Sequence, residues 1–300
     1  MVGTQKIIAA LGNFDGVHLG HQHLLHQAAD FAKTNDAALG VVLFDPHPRR
    51  FFRPDDPPFL LTLPRERDAL LRANGAQKIY ALTFDKAFAG LSPEEFVQGV
   101  LKDRLDLAGI VTGADFRFGK GRAGDGAALL SLGEAAGMKI KLVNVLSENP
   151  QADKFGSSAV REALRDGAVE RAAAMLGRPW SVTGAVVEGQ KVGRTIGFPT
   201  ANMTLGELIE PRHGVYATRA RVDGETCNAV SNFGRRPTVG SDAPLLETHL
   251  FDFGGDLYRR EIEIEFVAFL RDEQKFDGLD ALKAQISKDC ERAEALLRNG

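Results

Sequence analysis

The hydrophobic pattern of the first half of the chain predicts short buried strands that alternate with helices. Short continuous apolar runs are typical of strands covered on both faces, and between the first two runs Leu24, Ala28 and Phe31 recur at helical spacings. This alternation predicts an α/β domain with an open parallel sheet and right-handed crossovers, whose ligands bind beyond the carboxyl ends of the strands. The predicted strands are residues 7–11, 38–44, 78–84 and 109–112.

The pattern changes after Gly177, which is predicted to end a helix that Pro179 cannot continue. Shorter segments with alternating or β-branched residues follow, separated by turns such as Asp223-Gly224. They predict a mostly antiparallel β domain, a small barrel, against which a terminal helix packs. We therefore expect two domains, residues 1–178 and residues 179–300. The predicted elements of the second are strands at residues 181–187, 214–222, 228–230, 246–251 and 262–270 and a helix at 279–298.

Length and composition are consistent with two domains that bind small molecules. The 300 residues suffice for two separate cores, and a formal net charge of −3 offers no basic field for nucleic acid and no attraction to a membrane surface. Cys227 and Cys290 match no metal-site spacing, as expected of free thiols in a reducing compartment. Because no apolar stretch resembles a signal core or a transmembrane helix, we expect a cytoplasmic protein. The sequence leaves self-association open.

Residues 11–21, LGNFDGVHLGH, lie where the first predicted strand turns into the first helix. Glycines such as Gly12 allow backbone amides to approach a ligand closely, and the positive end of the helix favours an anion. His18 and His21 are three residues apart, so both imidazoles are expected to face that anion, which suits a nucleotide phosphate. Two alternatives are a glycine-rich turn with surface histidines and a metal site that includes the histidines farther along the helix.

This stretch resembles the GxFDGxHxGH signature of nucleotidylyltransferases that act on flavin. In that family the two histidines hold the triphosphate of ATP and stabilise the charge that builds on its α-phosphate. The resemblance assigns these catalytic roles to His18 and His21. It also implies that the surrounding turn binds the nucleotide through Gly12, Asn13, Phe14, Asp15 and Gly20.

A second segment of the first half, DFRFGKGR at residues 115–122, follows the strand at 109–112. It combines an acid, two aromatic residues and three cations, and by itself it would be a solvated loop. It resembles a family segment that lies beside the nucleotide and the flavin. The resemblance implies that Asp115 and Phe116 bind flavin.

A third segment, GSSAVR at residues 156–161, opens a predicted helix. Paired hydroxyl residues are common helix caps, but an arginine from the same helical end can add a bidentate phosphate contact. The segment resembles the family motif SSTxIR, which closes on the ATP phosphates, with Gly156 in place of its first Ser. The resemblance implies nucleotide binding by Ser157 and Ser158 and a catalytic role for Arg161.

The most specific match in the chain lies at residues 184–202, GAVVEGQKVGRTIGFPTAN. It resembles the riboflavin kinase signature GxVxxGxxxGRxxGxPTAN at nearly every fixed position. The resemblance implies that Thr200 and Asn202 hold magnesium with ATP. The alternative is a turn begun by proline, with local side-chain hydrogen bonds. The glycine-rich loop would cover the nucleotide phosphates, with Gly193, Arg194 and Gly197 as nucleotide-binding residues.

The segment ETHLFDF, residues 247–253, resembles a further kinase pattern, which implies that Glu247 is the general base. Chemistry agrees with this role, because a ribityl hydroxyl is a very weak acid and its phosphorylation benefits from a positioned carboxylate. The phosphate of FMN already carries about −1.5 to −2 charges at neutral pH, so it needs no base to attack ATP. The alternative for Glu247 is an exposed strand residue paired across the sheet.

These motifs identify the chain as a member of the bifunctional riboflavin kinase and FAD synthetase family. Membership implies an N-terminal Rossmann-like nucleotidylyltransferase domain and a C-terminal kinase barrel. Riboflavin, FMN and FAD would be substrates and products, with ATP and Mg²⁺ used in both domains. One departure is Arg259, which follows Tyr258 where the family has glycine. The alternatives are a protein with one active half and a flavin carrier without chemistry.

Overall fold

In the computed structural model of this chain, the apolar runs of the first half form a five-stranded parallel sheet. Its strands are β1 Ile7–Leu11, β2 Ala38–Asp45, β3 Lys78–Thr83, β4 Gly109–Gly113 and β5 Lys139–Val143, in the order β3-β2-β1-β4-β5. Successive strands are therefore added on one side of β1 up to β3 and on its other side from β4 onward. Ligands of such sheets bind at this reversal, between β1 and β4. The structure describes residues 5–144, 156–188, 193, 196–235 and 244–298.

Helices cover both faces of this sheet, as the alternating pattern predicts. On one face the core includes Leu25 and Leu71, and on the other it includes Phe96 and Leu129, which are all fully or almost fully buried. None of the helices in the described ranges is long and apolar enough to cross a membrane. Within the described residues, the α- and π-helices are α1 Leu19–Thr34, α2 Pro48–Phe52, α3 Pro64–Ala73, α4 Lys86–Ala89, α5 Glu95–Arg104 (π-helical), α6 Gly126–Ala135, α7 Ser157–Arg165, α8 Val169–Leu176 and α9 Leu279–Leu297.

The second half forms a six-stranded antiparallel sheet that curls on itself. A bridge between Val187 and Asn202 joins its two edges, which confirms the predicted barrel-like domain. Ala293 and Leu297 of α9 pack on it, as expected. The strands are β6 Trp180–Ala185, β7 Ala201–Met203, β8 Gly214–Val222, β9 Glu225–Gly234, β10 Leu245–Leu250 and β11 Glu261–Arg271, in the order β6-β11-β8-β9-β10-β7.

The compact units divide the chain differently from the predicted boundary at residue 178. One unit comprises Met1–Pro57 and Leu63–Gly156, and the other comprises Pro58–Thr62 and Ser157–Gly300. The reason is that α8 packs on β6 and β11, while the backbone of Leu60 exchanges hydrogen bonds with the segment that precedes β8. The boundary between the catalytic domains themselves stays a prediction.

The turn before β11 places residue 259 in a conformation that favours glycine, the residue that the family resemblance leads us to expect there. Arg259 has a φ of 64°, in the left-handed region, where a side chain costs about 1–2 kcal/mol. We expect Arg259→Gly to raise the free energy of unfolding by about 0.5–1 kcal/mol, after the greater chain entropy of glycine is allowed for. Urea unfolding followed by the fluorescence of Trp180, the single tryptophan, measures this gain.

The matched control is Arg259→Ala, which removes the charge but keeps the strained backbone. It is expected to give no gain. An equal gain in both variants would assign the effect to the loss of the arginine side chain and would contradict the backbone explanation.

Candidate active sites

The turn from β1 into α1 is sharp and firmly anchored. Phe14 and Val17 have positive φ values of 56° and 41°, and both side chains are fully buried in the core, so packing holds the unfavourable backbone in place. Gly16, with a φ of 82°, lies between them. The buried hydroxyl of Thr112 on β4 donates to the carbonyl of Leu11 at 2.9 Å, which ties the strand end to its neighbour. Core packing and this hydrogen bond therefore define the conformation of the turn.

His18 and His21 lie together in this turn, as the sequence predicts. Their rings stack with centroids 3.7 Å apart, and the ring of Phe14 lies 5.1 Å from that of His21. His18 is the N-cap of α1, because its Nδ1 accepts a hydrogen bond from the backbone N–H of His21 at 3.3 Å. An accepting Nδ1 carries no proton, so the ring proton of a neutral His18 is on Nε2.

His21 is held in its neutral form. Burial lowers the pKa of its imidazole well below the usual value, and the neighbouring His18 lowers that pKa further. Its Nδ1 is buried and has no hydrogen-bond partner among the described residues. At neutral pH this histidine therefore offers a hydrogen bond rather than a full positive charge.

The remaining residues of the signature surround this pair. Asp15 is buried, Gly12 and Asn13 are half-buried, and Gly20 lies in the first turn of α1. The backbone N–H of Gly12 donates to the carbonyl of Val42 on β2 at 3.2 Å. All of them lie at the carboxyl end of β1, next to the point where the sheet reverses its winding.

The loop after β4 lies beside this turn, because β4 pairs with β1. Asp115 is exposed, and Phe116 stacks on the buried Phe118 with ring centroids 6.0 Å apart. Arg117 forms an ion pair with Asp125 at 3.2 Å, and Asp125 caps α6. The hydrogen bond from Ala128 N–H to this carboxylate holds the pKa of Asp125 below its usual value. One of the three loop cations is therefore used to hold the loop.

The GSSAVR segment opens α7 at Ser157, as predicted. Ser158 is exposed, whereas Arg161 is buried, with its Nε donating to the carbonyl of Phe59 at 2.7 Å and its guanidinium over the ring of Phe59. All of these residues belong to the second compact unit, whereas the histidine pair belongs to the first. The role of Ser157, Ser158 and Arg161 toward ATP stays a prediction.

In the second unit, Glu247 and Asn202 are direct cross-strand partners of β10 and β7. Directly opposed residues of an antiparallel pair project to the same side with Cβ atoms about 4.5–5.5 Å apart. Asn202 is buried, its Nδ2 donates to the carbonyl of Thr200 at 3.3 Å, and its Oδ1 is buried without a partner among the described residues. The predicted base and one predicted metal ligand are therefore neighbours.

Two cavities adjoin at Thr200, which lines both of them. The larger one, of about 250 Å³, contains Glu247 and has an apolar wall that includes Phe276, Leu282 and Ile286. Leu282 and Ile286 of α9 thus line a cavity rather than only packing on the barrel. The smaller one, of about 100 Å³, is lined by Asn202, Asp256 and Tyr258 among others.

The glycine-rich loop is described only in part. The N–H of Phe198 donates to the carbonyl of Gly193 at 2.8 Å, and a Cβ at position 193 would lie 2.3 Å from the carbonyl oxygen of Phe198. Only glycine, which has no Cβ, allows the backbone at position 193 to lie this close to the carbonyl of Phe198. Gly197 has a φ of 93°, another position that favours glycine. Arg194 lies outside the described residues.

Sequence analysis missed several side chains that line the larger cavity, among them His249, Arg271 and Asp289. Arg271 and the buried Asp289 form a bidentate ion pair, with Nε–Oδ1 at 3.0 Å and Nη2–Oδ2 at 2.7 Å. They are far apart in the chain, so no local signal pairs them. His249 could have been predicted from the sequence. It lies two residues after Glu247, and residues two apart on a strand share a face.

A magnesium ion needs few protein ligands, since it keeps several waters and binds substrate phosphates. The described residues contain no group of three or more His, Cys, Asp or Glu side chains arranged to hold a metal ion. The amide oxygen of Asn202, which has no partner among the described residues, and the nearby hydroxyl residue Thr200 supply oxygen donors, the class of ligand that Mg²⁺ binds.

Comparisons with known proteins match both halves. The family model described as FAD synthetase matches residues 3–158, and the one described as riboflavin kinase matches residues 176–297. The Streptococcus pneumoniae protein whose crystal structure is called a macrolide-efflux protein is 30% identical, with a TM-score of 0.88 over 97% of this chain and 95% of that one.

Curated relatives named bifunctional riboflavin kinase/FMN adenylyltransferase extend along nearly the whole chain. The Haemophilus influenzae protein is 37% identical over 98% of this chain and 96% of its own length. The Escherichia coli K12 protein is 39% identical over 94% and 90%, and the Bacillus subtilis protein is 39% identical over 96% and 92%. With both halves matched in one polypeptide, the chain belongs to the bifunctional riboflavin kinase/FMN adenylyltransferase family.

Proposed function

We propose that this chain converts riboflavin to FAD in two steps that each consume ATP. The predicted C-terminal domain, residues 179–300, transfers a phosphoryl group from ATP to riboflavin, and the predicted N-terminal domain, residues 1–178, transfers an adenylyl group from ATP to the FMN formed. The observation that carries the kinase step is the cross-strand pair of Glu247 and Asn202, beside a Thr200 that lines two adjoining cavities.

In the kinase step, the larger cavity takes the flavin and the smaller one the nucleotide. The apolar wall of the larger cavity suits a flat ring system, and Glu247 in the same cavity accepts the proton of the ribityl 5′-hydroxyl. As that oxygen attacks the γ-phosphorus of ATP, the bond to the bridging oxygen breaks and ADP leaves. Thr200, which lines both cavities, lies where the two substrates meet.

We assign Mg²⁺ to Thr200 and Asn202. The buried Oδ1 of Asn202 lacks a partner within the described residues, so a cation would satisfy an oxygen that is otherwise costly to bury. When bound there, Mg²⁺ would neutralise charge on the ATP phosphates. Thr200 and Asn202 would hold that ion, with the nucleotide, beside Glu247.

In the adenylyl step, the FMN phosphate attacks the α-phosphorus of ATP and pyrophosphate leaves. No protein base is needed, because that phosphate is already ionised. The neutral His21, together with His18, donates hydrogen bonds to the oxygens on which charge grows. Ser157, Ser158 and Arg161 bind the ATP phosphates, and Asp115 and Phe116 bind the flavin.

Incubation of the full-length protein with riboflavin, ATP and Mg²⁺, followed by separation of the flavins, tests this proposal. We expect FMN to appear first and FAD to follow. FMN alone would show that only the kinase is active. Unchanged riboflavin would favour a flavin carrier and overturn the proposal.

The metal assignment predicts the behaviour of Asn202→Ala. The loss of a ligand to the metal and phosphates should raise the KM for Mg-ATP in the kinase step about tenfold or more, with little change in the KM for riboflavin. Steady-state kinetics of the full-length variant measures both, and FAD formation from supplied FMN should be normal. Asn228→Ala on β9 is the control and should match wild type. A normal KM for Mg-ATP in Asn202→Ala would remove Asn202 from the metal site.

A further inference from the structure

His249 lies on the same strand as Glu247 and makes a contact that the proposed chemistry does not use. Its Nδ1 is 2.8 Å from the carbonyl oxygen of Pro199. A carbonyl oxygen only accepts, so this hydrogen bond requires the proton on Nδ1. The imidazole also lies edge-on to the rings of Phe198 and Phe251, with centroids 5.4 and 5.9 Å away. The ring is therefore held in one orientation.

The bond to Pro199 continues the pairing of β10 with β7 beyond the strand itself. The last residue pair of that ladder is Thr248 with Ala201, and the next positions along the two strands are His249 and Thr200. Proline has no N–H, so residue 199 cannot donate to a neighbouring strand. Its carbonyl can still accept, and the side chain of His249 is the donor.

We propose that His249 is a positioning residue of the kinase site. It fixes the backbone immediately before Thr200 against the strand that carries Glu247, so that Mg-ATP is held at a set distance from the base. The inference rests on the function proposed above, in which Thr200 and Asn202 hold Mg-ATP. His249 also lines the larger cavity, so the experiment must distinguish positioning from direct contact with the flavin.

Two substitutions separate the hydrogen bond from the ring. Asparagine places an amide Nδ2 where His249 has Nδ1, so His249→Asn keeps the donor and removes the ring. Phenylalanine keeps the edge-on contacts, so His249→Phe keeps the ring and removes the donor. We expect His249→Phe to raise the KM for ATP about fivefold to tenfold in the kinase step, with the KM for riboflavin nearly unchanged. His249→Asn should remain near wild type.

These measurements use the full-length protein, with FAD formation from supplied FMN and the fluorescence of Trp180 as checks that each variant is folded. A near-normal His249→Phe together with an impaired His249→Asn would show that only ring packing matters and overturn the proposal. A rise in the KM for riboflavin without a rise in that for ATP would make His249 a flavin contact and also overturn it.

Asn202→Ala is measured in the same series. If it raises the KM for Mg-ATP while both His249 variants leave that KM unchanged, the positioning role fails and the proposed function stands. If neither Asn202→Ala nor the His249 variants change it, the placement of Mg-ATP is itself wrong, and the positioning role fails with it.

Discussion

Replacement of Glu247 by glutamine is expected to lower the rate of FMN formation by about a hundredfold or more, because the amide cannot accept the proton of the ribityl hydroxyl. FAD formation from supplied FMN should be nearly unchanged, since the nucleophile of that step is already ionised. Glutamine is nearly the same size, so the pairing of β10 with β7 should persist. Separate assays of the two steps on the full-length variant measure the difference.

The matched control is Glu225→Gln, which changes an exposed carboxylate at the start of β9. It should leave both activities intact. Equal loss of both steps in Glu247→Gln would indicate misfolding, and a fully active kinase would remove Glu247 from the catalytic role.

His21→Ala is expected to form FMN at the normal rate and accumulate it, with FAD formation reduced by about a hundredfold or more. The reason is that a donor aimed at charge that develops on the α-phosphate acts mainly in the transition state. Turnover should therefore fall more than the affinity for ATP. Single-turnover FAD formation and equilibrium ATP binding measure the two effects separately.

His18 needs a different pair of variants, because the structure makes it the N-cap of α1. His18→Ala should lose FAD formation and also destabilise the helix by about 1 kcal/mol. His18→Asn keeps a capping side chain, so any remaining loss of activity reports the chemical role alone. The free energy of unfolding, measured with denaturant, reports the loss of the helix cap separately from the loss of activity.

His23 and His26 lie farther along α1 and serve as internal controls. Their alanine variants should keep most FAD formation. If His23→Ala abolished this step while His21→Ala did not, a metal site built from the downstream histidines would be the better account of the motif.

The sequence alone determined the fold class of each half and the family to which its motifs belong. Buried parallel strands carry continuous apolar runs, and glycines and histidines at fixed spacing mark a phosphate turn, so both signals are local. The predicted strand at residues 214–222 is β8 without change, and the predicted strand at 7–11 is β1. Such signals can be recognised in a short segment of the sequence, without information on which distant residues that segment contacts.

Sequence could not find β7, which is only Ala201–Met203. A strand of this length is too short for an alternating pattern, and it exists because it pairs with β10. That same pairing sets Asn202 opposite Glu247, and the proposed kinase site depends on this arrangement.

Tertiary structure also decided the state of the side chains. Burial keeps His21 neutral, stacking sets it against His18, and Arg161 packs with Phe59 in the second unit, although the predicted domain boundary placed it in the first. The sequence determined which groups are available. The protonation state, the hydrogen-bond partners and the neighbours of these groups depend on contacts between residues far apart in the chain. Only the tertiary structure specifies these contacts.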